Sequence, residues 1–305
     1  MKKILVTGAN GLLGQKIIAG YKSNPEVQLI ATARGECRIL DQSGFIYESM
    51  NISDKAEVLA VVEKHNPDVI INTAAMTNVD QCETDKAGCD EANVTAVKIL
   101  ASVCEKNDIH LVHLSTDFIF DGKDGPYDEE AKANPLSYYG WSKFKAEEII
   151  KTCECKWSIL RTVLVIGITE GMSRSNIVLW AKGALGKGQE INVVDDQFRT
   201  PTLAEDLADG CMLVAMQGAE GVYNISGKDF MSILELVEKV ADFYKLDKTL
   251  IKRSSSETLN QPAKRPPVTG FILDKAINNL GYAPHSFEES LAIMQKQIDY
   301  YESIN

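Results

Sequence analysis

Two groups of residues in this chain could do chemistry together. Tyr139 and Lys143 stand four positions apart in Tyr139-Gly-Trp-Ser-Lys143, and Thr116 lies 23 positions before Tyr139 (139 minus 116). On a helix, a tyrosine and a lysine at that spacing share one face, so the ammonium can lower the phenol's pKa and make it a usable proton donor. Near the N-terminus, Gly8-Ala-Asn-Gly11-Leu-Leu-Gly14 supplies a place for a dinucleotide. Together they read as hydride transfer from a nicotinamide to a carbonyl, with Tyr139 delivering the proton. Spacing alone does not carry this reading, because Tyr244 and Lys248 repeat it in SILELVEKVADFYKLDK with nothing site-like around them. Context separates the pairs: Tyr139 follows an apolar run, Ile109 to Leu114, that ends in Ser115-Thr116 and continues into a Gly/Pro-rich loop.

The glycine segment directly follows a strand pattern and opens a helical one, which is the context that gives such a motif meaning. Gly8 permits the tight turn, Gly11 lets the backbone approach a pyrophosphate, and Gly14 lets the helix pack on the strand. Asn10 lies inside the turn, and the Leu12 and Leu13 amides face the phosphates. The second strand ends Ile30-Ala-Thr-Ala-Arg34, with no acid to grip a ribose 2'-hydroxyl and a cation that can meet a 2'-phosphate. NADPH is therefore expected to be preferred, with NADH usable. Asn51 and Ile52 flank the adenine, and Ala74 and Ala75 are small enough to let the cofactor lie against the backbone. Thr116 is placed to hydrogen-bond the substrate carbonyl as charge develops there. Lys143 has a second task, holding the nicotinamide ribose.

These residues need a scaffold, and the sequence supplies one. From Lys2 to Thr162, short apolar runs (KKILVT, VQLIAT, DVIINTA, IHLVHLS, WSILRT) alternate with helical segments at 12–21, 55–64, 86–106 and 139–151. That alternation predicts an α/β fold, a Rossmann-type doubly wound parallel sheet, with Ser53 or Asp54 capping the second helix. A dinucleotide-binding domain is expected over 1–163, with a return segment about 190–218. A smaller, mixed C-terminal substrate lobe is expected over 164–189 and 219–305. The loop from Phe120 to Glu130 is read as a lid or a tolerated insertion.

Composition excludes other classes. A net charge of -11 over 305 residues argues against nucleic acid as a partner. The first apolar run, Ile4-Leu5-Val6, is too short for a signal core or a membrane span, so cytoplasmic residence is the default. Seven cysteines form no C-x-x-C pair and four histidines show no zinc spacing, so reduced thiols and no metal are expected. Cys153-Glu-Cys155 reads as a solvated helix end.

The stretch STDFIFDGKDGPYDEEAKANPLSYYGWSKFKAEE resembles the most recognisable segment of the dTDP-4-dehydrorhamnose reductase family, within the extended short-chain dehydrogenase/reductases. Similarity continues in NTAAMTNVDQCETD, in GQEINVVDDQFRTPTLAEDLAD, and in the Arg265-Pro266 segment followed by FILDKAINNLGY. The resemblance implies that Thr116, Tyr139 and Lys143 act on the 4-keto group of a dTDP-4-dehydro-6-deoxy sugar, giving dTDP-L-rhamnose, with Asp117 beside the substrate. Arg199 and Arg265 are the cations expected to hold its diphosphate. Two positions depart from the family pattern: Phe118 replaces a tyrosine, and Arg199 stands where glycine is common. Some relatives are metal-assisted dimers, so a homodimer is in view, and no residue here decides either feature.

Three other functions share parts of this pattern. A 4,6-dehydratase needs a Glu after the Asp of Ser-Thr-Asp, and here Phe118 follows. A C4 epimerase keeps the Tyr/Lys pair. The regulatory β subunit of methionine adenosyltransferase binds NADP and acts as an interaction partner, and the intact Thr116, Tyr139 and Lys143 set argues for catalysis instead.

Overall fold

The apolar runs become the strands of one parallel sheet. In this computed structural model, which describes residues 1–169, 175–258 and 261–304, the strands are β1 (Lys2–Thr7), β2 (Val27–Ala33), β3 (Phe45–Ser49), β4 (Val69–Asn72), β5 (His110–Thr116), β6 (Trp157–Thr162) and β7 (Gly221–Asn224). Their order is β7-β6-β5-β4-β1-β2-β3. All neighbours run parallel. Successive residues serve opposite faces: Ile4 and Val6 join a core with Ile17, Val112 and Leu160, while Leu5 joins Ile30, Val58, Leu100 and Ile159 on the other side. Helices therefore cover both faces, and chain order reverses between β1 and β4. Loops leaving those two strands diverge there, opening the crevice at the carboxyl edge where such sheets bind ligands.

The helix after β1 (Leu12–Tyr21) begins at Gly11 with no side-chain cap. Asp54 caps the Lys55–His65 helix by accepting from the Ala56 and Glu57 amides. Ser137 caps the Tyr138–Lys151 helix through the Gly140 amide. The smaller lobe has its own core, in which Val178, Leu236, Val240, Leu291 and Met294 bring together the helices Ile177–Gly186, Ile233–Tyr244 and Phe287–Ile304.

Several elements differ from the sequence expectation. β3 and β7 are the two sheet edges, with four of five and two of four residues respectively only partly buried, so neither shows the long apolar run of an inner strand. β7 also lies in the segment expected to build the substrate lobe, whereas Ile191–Val194, expected in the return segment, pairs with Ile251–Ser254 outside the main sheet. The helix expected over 86–106 is interrupted by a π-helical turn at Glu91–Thr95. The thiol of Cys155 is buried and Cys153 packs against the same core, which corrects the solvated helix end. All seven cysteines are free. The serine- and proline-rich segment from Ser254 to Thr269, which reads from the sequence as a loop, includes residues 259–260, which lie outside the described residues.

Asp54→Ala removes the carboxylate oxygen that accepts from two amides at the start of a helix whose Val58, Val61 and Val62 share a core with Leu5 and Ile70. It should cost about 1 kcal/mol of stability in urea unfolding, with the slope of the transition unchanged.

Candidate active site

Gly8 ends β1 in a left-handed conformation (φ 67°), and a Cβ there would lie 2.9 Å from the Ala74 amide nitrogen. At Gly14 a Cβ would meet the Gly8 carbonyl at 2.5 Å. The turn and the helix are thus closed on each other as tightly as backbone allows, and the first helical amides point out of the turn uncapped. That is the arrangement that receives a pyrophosphate. Asn10 has a different occupation: its amide donates to the Glu36 carbonyl at 2.9 Å and its oxygen accepts from the Arg38 amide at 2.9 Å. It ties the β2–β3 loop to the turn. Arg34 is exposed just beyond β2, and Arg38 is a second exposed cation in the same loop. Ala74 and Ala75 follow β4 beside Gly8, while Asn51 and Ile52 follow β3 on the same edge. These residues fit a dinucleotide.

Thr116 ends β5, and the Tyr138–Lys151 helix brings Tyr139 and Lys143 against it, all three buried. Glu147, one turn further on, fixes the helix to the sheet. Its carboxylate accepts from Ser115 Oγ at 2.6 Å and from Arg161 of β6 at 3.0 and 2.8 Å. Arg161 lies over the Phe120 ring and donates to the Glu129 carbonyl, and Phe120 stacks on Tyr127. Tyr127 in turn donates its amide to Gly270 and accepts from the Ile272 amide. The Phe120–Glu130 loop is therefore pinned to the Gly270–Ile272 segment, whose Phe271 packs with Phe120 and Tyr127 into the core under the main sheet.

The proton chemistry is set by burial. Burial pushes the Tyr139 phenol up, against a lowering contribution from Thr116. It pushes Lys143 down to about 8, against the opposing charge of Glu147. The expected lowering of the tyrosine by the lysine is absent: Lys143 Nζ is 3.1 Å from His113 Nε2, and desolvation governs Tyr139. The phenol keeps its proton, which is what a donor requires.

Both expected diphosphate cations are engaged elsewhere. Arg199 is buried, donating to the carbonyls of Phe198, Pro266 and Pro267 at 2.7–3.0 Å, with Nε 3.7 Å from Asp117 Oδ2. Arg265 grips both oxygens of Asp80 at 3.2 and 2.8 Å. Asp117 is likewise turned inward, accepting from Thr116 Oγ1 at 3.1 Å and from Thr269. Burial raises its pKa, and Arg199 opposes the rise. These groups join the smaller lobe to the end of β5. Phe118 meets Tyr139 edge to face at 5.8 Å.

Sequence reasoning missed His113, Glu147, Arg161 and Asn93. The π-helical turn aims Asn93 at Ser142 of the catalytic helix (3.0 Å) and at both the amide and the carbonyl of Met76 (2.8 and 3.0 Å). The signal was available for Glu147, which continues the four-residue spacing of Tyr139 and Lys143.

A doubly wound parallel sheet with a glycine turn at its switch point and a Tyr/Lys helix against the next carboxyl strand end defines an NAD(P)-dependent short-chain oxidoreductase of the extended type. The profile described as RmlD substrate binding domain matches residues 1–300, and the chain belongs to that family. A dTDP-4-dehydrorhamnose reductase of Aggregatibacter actinomycetemcomitans is 30% identical over 308 residues, covering 95% of this chain and 97% of the relative. The methionine adenosyltransferase 2 subunit beta of Danio rerio is 28% identical over 271 residues, covering 87% of this chain and 81% of that protein. Among solved structures, the dTDP-4-dehydrorhamnose reductase of Bacillus anthracis in complex with NADP superposes with a TM-score of 0.84 at 26% identity, covering 97% of this chain and 100% of that one.

Replacing Glu147 by Met strands a buried arginine and should cost roughly 3–5 kcal/mol. Glu147→Met combined with Arg161→Met should recover most of that loss in a thermal double-mutant cycle. Strictly additive losses would show that the pair acts through separate contacts.

Proposed function

We propose that this chain reduces the 4-keto group of a nucleotide-linked 6-deoxy sugar with NADPH, dTDP-4-dehydrorhamnose to dTDP-L-rhamnose being the favoured case. The observation that carries the proposal is the convergence of buried Thr116, Tyr139 and Lys143 on one carboxyl strand end, next to a tight glycine turn. The identity to named reductases along nearly the full chain supports the sugar-nucleotide class.

When bound, the dihydronicotinamide supplies the hydride to the carbonyl carbon. Tyr139 holds the proton on its phenol oxygen and gives it to the carbonyl oxygen, and Thr116 Oγ1, turning its single proton from Asp117, donates to that oxygen as it gains charge. Lys143 holds the ribose of the cofactor and returns a proton to Tyr139. Arg34, with Arg38 beside it, meets a 2'-phosphate, which is the ground for preferring NADPH. Arg199, Arg265 and Asp117 hold the smaller lobe over the cleft, and a diphosphate role for the two arginines would require these contacts to be exchanged.

A second reading draws support from the methionine adenosyltransferase subunit, at similar identity: a nucleotide-binding partner without turnover. Loss of nicotinamide absorbance with a panel of nucleotide-linked 4-keto sugars separates the two, and no oxidation with any of them would sink the reductase reading.

With an active substrate, Tyr139→Phe should retain NADPH affinity and lose roughly two to four orders of magnitude in kcat. The same assay should show kcat/KM falling as pH rises through about 8, where Lys143 loses its proton. Arg34→Ala should weaken NADPH by roughly 1.5–3 kcal/mol and leave NADH unchanged; equal dissociation constants for the two cofactors in the parent protein would refute the stated preference.

A further inference from the structure

The strands that meet at the switch point carry a polar row to which the reaction scheme assigns no task. Thr7, Asn72 and His113 are register partners across β1, β4 and β5. Each is at most 1% exposed, and they sit among Ile, Leu and Val. Thr7 Oγ1 lies 2.6 Å from Asn72 Oδ1, the Asn72 amide nitrogen 3.0 Å from His113 Nδ1, and His113 Nε2 3.1 Å from Lys143 Nζ. The row begins at the residue before Gly8 and ends on the lysine of the catalytic helix. Thr73 extends it sideways, donating its hydroxyl to the Thr7 carbonyl at 2.6 Å.

Each buried polar group would cost roughly 1–3 kcal/mol if left unmatched, and packing alone would be served by valine or isoleucine at all three positions. What the row provides is an acceptor at a fixed point. An ammonium only donates, so a charged Lys143 requires a bare Nε2 and places the imidazole proton on Nδ1. Asn72 then turns its oxygen toward Nδ1 and its NH2 toward Thr7 Oγ1, a half-turn of the amide that keeps both heavy-atom distances and makes Thr7 Oγ1 the acceptor where it otherwise donates. Burial and the neighbouring lysine hold His113 well below its ordinary value, so the ring stays neutral and free to accept.

We propose that His113 is a positioning residue: its neutral imidazole, oriented by Asn72 and Thr7, accepts one N–H of the Lys143 ammonium and fixes that ammonium relative to Tyr139 and the nucleotide turn. This rests on the reading of Lys143 as a functional cation. The other groups facing Lys143 do not replace it. Glu147 lies one turn on along its own helix and is held by Arg161 and Ser115, Cys89 approaches from the Lys86–Asp90 helix, and Tyr139 is one turn back. Without the imidazole the ammonium would remain buried with no acceptor, and its proton would be held less tightly.

The test follows the Lys143 side chain by NMR in protein carrying 13C at the lysine ε position, and needs no substrate. His113→Leu should lower the Lys143 pKa by about one unit or more. His113→Gln, whose amide oxygen can accept, should recover most of that drop. In the unsubstituted protein, long-range proton–nitrogen spectra near neutral pH should show His113 with Nδ1 protonated and Nε2 bare. A ring protonated at Nε2, or an unmoved Lys143 titration in a folded Leu variant, overturns the assignment. If the Leu variant does not fold, the tautomer and the Gln variant decide. In the enzymatic assay the alkaline limb of kcat/KM should move to lower pH in the Leu variant by the same amount as the titration. A protein that oxidises NADPH with none of the sugars, yet shows the tautomer and the shift, loses the substrate assignment and keeps this one.

Discussion

A carboxylate buried between a helix and a sheet must be neutralised where it stands, because transfer of the bare charge out of water is prohibitive. Glu147 is held by groups on two adjacent strands: Arg161 of β6, with Lys151 of its own helix at 3.5 Å, supplies opposite charge, and Ser115 of β5 donates a hydrogen bond. That geometry leaves the helix no freedom to rotate or slide. Tyr139, Lys143 and Glu147 recur at four-residue spacing, so fixing the last fixes the face on which the other two stand. Ser115 precedes Thr116, which ties the same carboxylate to the third member of the set. Arg161 carries the constraint onward, since its Nη1 and its ring contact hold the loop that leads from Thr116 to Tyr139. The three side chains to which the proposed scheme gives the chemistry thus share one anchor.

The two lobes are joined by a similar device with a different cost. Asp117 and Arg199 are both buried, and each is shifted toward its neutral form by desolvation and back by the other. Such a pair adds little net stability, but removing either partner leaves an unmatched charge in the seam. Arg199 is engaged by the carbonyls of the Pro266–Pro267 segment and by the residue after Thr116. The Arg265–Asp80 pair closes the same seam nearer its surface. The smaller lobe is therefore registered to the reacting end of β5 by charge, not by apolar packing alone.

What could be read from the sequence was whatever is local. The inner strands β1, β2, β4, β5 and β6 are apolar on both faces and stand out as runs; the edges β3 and β7 have only one packed neighbour strand and carry no such signature. The spacing of Tyr139 and Lys143, the strand end at Thr116 and the glycine turn are all contiguous patterns. His113 and Asn72 read as strand interior, because a cross-strand row exists only once the register of three separated segments is known. Arg199 and Arg265 were legible as cations in loops, but the oxygens that occupy them come from residues 82 and 185 positions away at the extremes (199 minus 117; 265 minus 80). Charge type is a sequence property, whereas availability is a property of the fold.

On the proposed scheme, burial also explains how Tyr139 and Lys143, with ordinary values near 10, act in sequence at neutral pH. Desolvation opposes charge on either group, so it moves them in opposite directions: Tyr139 up, Lys143 down to about 8. A tyrosine shifted upward stays loaded with its proton until the developing alkoxide, a far stronger base, asks for it. A lysine shifted downward becomes the more acidic of the two, so once the phenol has given up its proton the ammonium one turn away is the natural source of the next. Direction then follows from the environment alone, from Lys143 to Tyr139 to the carbonyl oxygen. On the arrangement proposed for His113, its acceptor bounds the effect by holding the proton of the buried lysine, alongside the charge of Glu147.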